Sequence, residues 1–198
     1  CAVLPREACV LTPARSIDER AATGPQQFGG LSFSCARRGK SATMRAMSVK
    51  LLRTQSYLAM IRNAARGENH MFRNLFAEVD GETRDIADDG NLACATFVSS
   101  VLLLWGLVKD RHATVSGTVR DLQASGWERS DTPRVGSVIV WKERPYQDGS
   151  RHSHIGFVVG EDRAVSNMSA EGVPREHSIT MDGEREIDYF LWHPELER

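Results

Sequence analysis

Leu92-Ala93-Cys94-Ala95-Thr96-Phe97-Val98-Ser99-Ser100-Val101-Leu102-Leu103-Leu104-Trp105, closed by Gly106, is the stretch on which the fold turns. It is apolar nearly all round, the pattern of a helix buried at the centre of a domain. Asp88-Asp89-Gly90-Asn91 before it offers several capping side chains, and Gly106 supplies a stop. Cys94 falls in the expected first turn, where unpaired backbone N–H groups and the helix dipole favour a thiolate and can also receive an oxyanion. Asp88 and Asp89 would oppose that effect if they approached the sulfur. The apolar run from Phe97 to Val108 is interrupted by Ser99 and Ser100 and falls short of the ~20 residues a membrane helix needs.

Upstream, residues 49–65 place Leu51, Leu52, Leu58, Met60 and Ile61 among arginines, the pattern of an amphipathic helix ended by Gly67. Residues 69–79 read as a shorter helix with Met71, Phe72, Leu75 and Phe76 on one side, and residues 80–90 as a polar loop. Downstream, residues 114–124 predict a helix with Val115, Val119 and Leu122 on one face. The pattern then changes. Residues 137–141, 153–160, 163–167 and 186–192 are short apolar runs between turn residues, the signature of strands. Helices first and strands afterwards is α+β ordering, with an antiparallel sheet packed on the central helix.

Charge divides the chain in two. Its 198 residues carry 26 acidic and 25 basic side chains, a net −1 that argues against a nucleic-acid partner. That balance is a cancellation: residues 1–47 carry +4 and residues 48–198 carry −5. The first segment holds Cys1, Cys9 and Cys35, follows neither a helical nor a strand period, and reads as a basic, flexible extension or a non-native one. It shows no uninterrupted apolar h-region of roughly 7–15 residues, so no secretory leader is legible, and Met44 or Met47 would make a natural start. Residues 48–198 are the expected folded domain.

Cys94 is the one cysteine in that domain, and the four together give neither a zinc spacing nor an even disulfide framework. His154 begins an apolar strand and shares the face of Gly156 and Val158. If that face packs against the start of the Cys94 helix, the imidazole can serve the thiol as a general base, with Gly156 leaving room. Asn167, on the next strand across the turn Gly160-Glu161-Asp162, is placed to orient the ring, with Ser166 as its competitor. Asn91 is a possible side-chain oxyanion donor. His152 and His177 read as surface loop residues and His193 as the end of the last strand, without metal-ligand spacing.

From Asn91 to Trp192 the order of these pieces resembles the NlpC/P60 superfamily of papain-like cysteine peptidases, including its CHAP-type relatives. The matching segments are Cys94-Ala95-Thr96-Phe97-Val98-Ser99-Ser100-Val101, Pro133-Arg134-Val135-Gly136-Ser137-Val138-Ile139 and His154-Ile155-Gly156-Phe157-Val158-Val159-Gly160. The resemblance implies hydrolysis of amide bonds in bacterial cell-wall peptidoglycan peptides, by a papain-like fold, without metal or cofactor. It implies Cys94 as nucleophile, His154 as general base and then acid, and Asn167 as the orienting residue, a place often held by histidine in the family. In the murein endopeptidases an aspartate precedes the cysteine and a serine-glycine follows it; here Ala93 precedes and Ala95-Thr96 follow, and Gly136-Ser137 replaces a Gly-Asp. These departures count against specificity for a D-glutamyl linkage, and a CHAP-like amidase or a peptidase acting on another isopeptide is equally open. A catalytically silent binding module of the same fold is the alternative from another functional class, and cell-wall access is expected from the resemblance alone.

Overall fold

A computed structural model describes residues 48–145 and 149–197. The expected basic tail, residues 1–47, lies outside the described residues. The rest is α+β, with α1 (Arg53–Ala64), α2 (Cys94–Leu104) and α3 (Val115–Ala124). A hairpin is made by β1 (Phe76–Val79) and β2 (Glu82–Asp85). A six-stranded sheet is made by β3 (Glu128–Ser130), β4 (Val138–Pro145), β5 (Arg151–Gly160), β6 (Arg163–Met168), β7 (Val173–Ser178) and β8 (Ile187–Trp192). Its order is β3-β8-β4-β5-β6-β7, antiparallel at every pairing.

The expected helix over residues 69–79 is corrected to part of the hairpin. Met71, Phe72, Leu75 and Phe76 happen to fall at helical spacing, but Asp80-Gly81 is a two-residue turn with φ of 54° and 81°. Positive φ at both central positions matches the right-handed twist of the flanking strands, and it pairs Val79 with Glu82 and Phe76 with Asp85. The expected helix over 49–65 starts four residues later, leaving Leu51 and Leu52 exposed.

α2 lies over β5 and β6 and fills the core with Phe97, Val98, Val101 and Leu102. It ends as a Schellman motif, with Leu107 N–H donating to Leu102 O and Gly106 N–H to Leu103 O. The sheet face under α2 presents Val138, Val140, Ile155, Phe157, Val159, Val165 and Leu191. The other face carries a smaller core of Ile139, Trp141, Val158, Ala164, Ile179 and Phe190. A sheet buried on both faces explains why residues 138–141 of β4 and 155–159 of β5 run without polar alternation.

Candidate functional site

The loop that delivers Cys94 is built around Asp85. Its carboxylate accepts from the backbone N–H groups of Leu75 (2.8 Å), Ala87 (3.1 Å) and Asp89 (3.0 Å) and from Asn74 Nδ2 (2.6 Å). The Leu75 amide and its companions hold this carboxyl down to about 2, because each hydrogen bond favours the charged form. Arg73 grips Asp89 in a two-pronged ion pair at 2.6 and 2.7 Å, and Asp88 accepts from Asn91 Nδ2 at 2.9 Å. The two aspartates thus have cationic and amide partners of their own. Neither caps α2: Ala93 holds the N-cap position without a side-chain cap.

Cys94 is the first residue of α2 and is partly buried. Burial pushes its thiol above the usual value, outweighing the backbone N–H groups of Ile155, Ala95 and Cys94 itself and the charge of Arg185. The helix start therefore does not yield a resting thiolate: desolvation of the charged form wins over the local amides. The contact with the Ile155 amide sets the sulfur against the backbone of β5, beside His154. Cys94 and His154 line one cleft of about 430 Å³, together with Asn91, Leu92, Thr114, Ser116, His152, Ser153 and Ser169.

The geometry by which His154 reaches this cleft differs from expectation. α2 packs on the face of Ile155, Phe157 and Val159, so His154 belongs to the opposite face, its ring 5.2 Å from that of Trp141. It is 5% exposed. Burial first, then the charges of Arg185, His177 and Arg144, push its pKa well below the imidazole range. Its Nε2 is 2.9 Å from Ser166 Oγ.

That contact belongs to Ser166 and not to Asn167. Gly160 pairs with Arg163, and a regular ladder from there would set Gly156 opposite Asn167. A bulge between Val158 and Gly160 shifts the register by one, so that Gly156 pairs with Ser166. One residue of slip exchanges the faces of a strand. Ser166 joins His154, and Asn167 turns to the α2 side, where its Nδ2 donates to Gly90 O at 2.8 Å. The room left by Gly156 is taken by Ser166: a Cβ at Gly156 would lie 2.9 Å from that of Ser166 and 2.7 Å from Val165 O.

Asn91 lines the cleft, but its side-chain amide donates to Asp88. One residue the sequence did not single out, Arg185, and one it assigned to a surface loop, His177, stand in the site. Arg185 is buried, its guanidinium donating to His152 O at 3.5 Å, and its charge bears on both Cys94 and His154. His177, expected in a surface loop, is on β7 with its Nε2 2.8 Å from Ser166 Oγ. β7 was hidden by Pro174 and by the four consecutive polar residues Arg175 to Ser178, both tolerated because it is an edge strand. Among the described residues, no cluster of histidine, cysteine and carboxylate side chains is arranged to hold a metal ion, and no helix is long and apolar enough to cross a membrane.

No curated protein matches the chain. The segment from the Asp85 loop through the turn after β6 is a different matter: residues 86–170 match the CHAP domain, a family typically of amidases and peptidases that belongs to the NlpC/P60-like group of papain-like cysteine hydrolases.

Proposed function

We propose that this protein is a cysteine amidase or peptidase of papain-like, NlpC/P60-type arrangement that hydrolyses amide bonds in peptidoglycan peptides, with Cys94 as nucleophile, His154 as general base and acid, and Ser166 orienting the imidazole. The observation that carries the reading is that Cys94, at the start of α2, and His154, hydrogen-bonded through Nε2 to Ser166, line the same cleft. The CHAP match over the same residues supports the peptidoglycan class of substrate.

The resting pair is a thiol and a neutral imidazole, because burial disfavours both charged forms. His154 takes the thiol proton as Sγ bonds to the substrate carbonyl carbon, and the oxygen, now an oxyanion, is met by the Cys94 backbone N–H. The C–N bond then breaks as the imidazolium gives its proton to the leaving amine, which leaves a thioester on Cys94. Water completes the cycle: His154 takes its proton as the oxygen adds to the thioester carbon, the C–S bond breaks, and the imidazolium returns a proton to sulfur. Asn91 Nδ2 gives one hydrogen to Asp88 and keeps a second, which is the donor it could offer to the oxyanion.

Both acylation and return need one proton on the Cys94–His154 pair. A lowered imidazole pKa puts the acid limb of kcat/KM below the usual histidine value of about 6.5, and a raised thiol pKa puts the alkaline limb above the usual thiol value of about 8.5. A broad plateau across neutral pH is the expected profile. A narrow bell with either limb inside that interval would contradict the neutral resting pair.

The division of labour between Ser166 and Asn167 is tested by substitution. Ser166→Ala is expected to lower kcat on soluble peptidoglycan fragments by about tenfold or more, short of the ~10²–10⁴ that a general base contributes. Asn167→Ala removes a buried bond to Gly90 O and is expected to act mainly on thermal stability, at about 1–3 kcal/mol. Larger kcat loss in Asn167→Ala than in Ser166→Ala would return the orienting role to Asn167. Fragments bound by the wild-type chain without release of new amino groups would instead establish the silent binding module.

A further inference from the structure

Three polar side chains run in a line across the sheet face away from α2: His154, Ser166 and His177. Trp141 flanks both imidazoles, with ring centroids at 5.2 and 5.8 Å, and its Nε1 is itself spent on Ile179 O at 2.8 Å. The far end of the line is tied to the backbone, for His177 Nδ1 is 2.7 Å from Ser178 O. A carbonyl oxygen only accepts, so Nδ1 of His177 carries the hydrogen. In the neutral ring Nε2 is then an acceptor, and the hydroxyl of Ser166 donates to it.

A serine hydroxyl has one hydrogen. With that hydrogen directed at His177, Ser166 Oγ meets His154 Nε2 as an acceptor, and the His154 ring must carry its hydrogen there. The other candidate acceptor for the Ser166 hydroxyl among the described residues is the Met168 thioether, at 3.8 Å and weak.

We propose that His177 is a positioning residue: through Ser166 it fixes His154 as the tautomer protonated on Nε2, which leaves Nδ1 as the lone pair that takes the Cys94 proton. This rests on the reading of Cys94 and His154 as nucleophile and base and adds to it the origin of the base's competence. Burial supports it by holding both imidazoles neutral, the pKa of each lying below the usual value. The carbonyl of Ser178 is the fixed point of the line, because it is the one member that cannot exchange the roles of donor and acceptor.

The test is made on the full chain carrying ¹⁵N-labelled histidine, above the pH at which free imidazole titrates. The ring-nitrogen shifts of His154, assigned by their loss in His154→Gln, are expected to show a pyrrole-type Nε2 and a pyridine-type Nδ1. His177→Gln keeps an acceptor oxygen and is expected to leave that pattern in place. His177→Lys offers only donors; it turns the Ser166 hydroxyl toward His154 and is expected to move the His154 hydrogen to Nδ1. Alkylation of Cys94 by iodoacetamide, followed on the Cys94 peptide by mass spectrometry, should then fall to the rate of His154→Gln. A new cation nearby would by itself favour the thiolate and raise that rate, so the direction separates the tautomer from simple electrostatics.

A wild-type His154 protonated on Nδ1 overturns the relay without recourse to any variant, as does a His177→Lys chain that folds and retains the wild-type tautomer. Should His154→Gln leave the alkylation rate of Cys94 unchanged, the Cys94–His154 pairing fails instead, and the ring-nitrogen spectra still decide the relay independently.

Discussion

Cys94→Ala is expected to lower peptidoglycan-fragment hydrolysis by about 10⁴-fold or more, since removal of a nucleophile that works as a unit with its base costs nearly the whole chemical rate enhancement. Mass spectrometry of the fragments, or the release of new amino groups, reads the loss. The fold should survive it: Cys94 is only partly buried and packs at the margin of the core under α2, so the change in melting temperature stays small. Cys94→Ser sharpens the result. Its hydroxyl can still accept from the Ile155 amide that meets the sulfur, yet an alkoxide is far harder to form than a thiolate beside an imidazole already disfavoured as a cation. The serine variant should therefore be nearly as inactive as the alanine variant while remaining at least as stable. Substrate binding by either variant, with turnover lost, identifies the cleft as the catalytic site. Turnover within tenfold of wild type in Cys94→Ala would remove the thiol from the mechanism and with it the proposed function.

The buried helix and the strand that carries His154 were legible in the sequence for one reason. From Ile155 to Val159 β5 lies between two cores and carries no polar alternation, and α2 is apolar over its buried positions, though Leu103 and Leu104 at its end are exposed; such burial writes itself into composition without any knowledge of partners. The hairpin β1–β2 was legible only in its turn, Asp80-Gly81, since its strands face solvent and carry no alternation that would mark them. The partner of His154 lay beyond sequence reasoning in a stricter sense. Which of Ser166 and Asn167 faces the imidazole depends on a single-residue bulge at Val158–Gly160. No local propensity encodes that slip; it follows from how β5 and β6 settle between two cores. His177 reads as a surface loop residue because its strand is an edge, where proline and charge are permitted and apolar periodicity is not required.

Gly90→Ala is the second large effect, and it acts on the loop that presents the nucleophile. Gly90 has φ of 90°, and a Cβ there would lie 2.5 Å from both Cα and O of Gly172, inside any real contact distance. Neither backbone is free to withdraw. Gly90 O accepts from Asn167 and Gly90 N–H donates to Ala87 O, while Gly172 N–H donates to Met168 O. Left-handed strain costs about 1–3 kcal/mol and overpacking a similar amount, so the sum is about 2–6 kcal/mol. For a chain of this length that corresponds to a fall in melting temperature of roughly 4–24 °C. Gly67→Ala provides the matched control, since Gly67 has φ of 64° with nothing within 4 Å of the added carbon. It isolates the conformational part, and the excess in Gly90→Ala measures the contact between the two loops. Because Ala93 N–H donates to Gly90 O, displacement of Gly90 is passed directly to the residue before Cys94. Gly90→Ala should therefore lose turnover even at temperatures where it remains folded, whereas Gly67→Ala should not. Equal destabilisation of the two variants would show that Gly90 and Gly172 do not meet, and the placement of Cys94 at the cleft would have to rest on Asp85 and Arg73 alone.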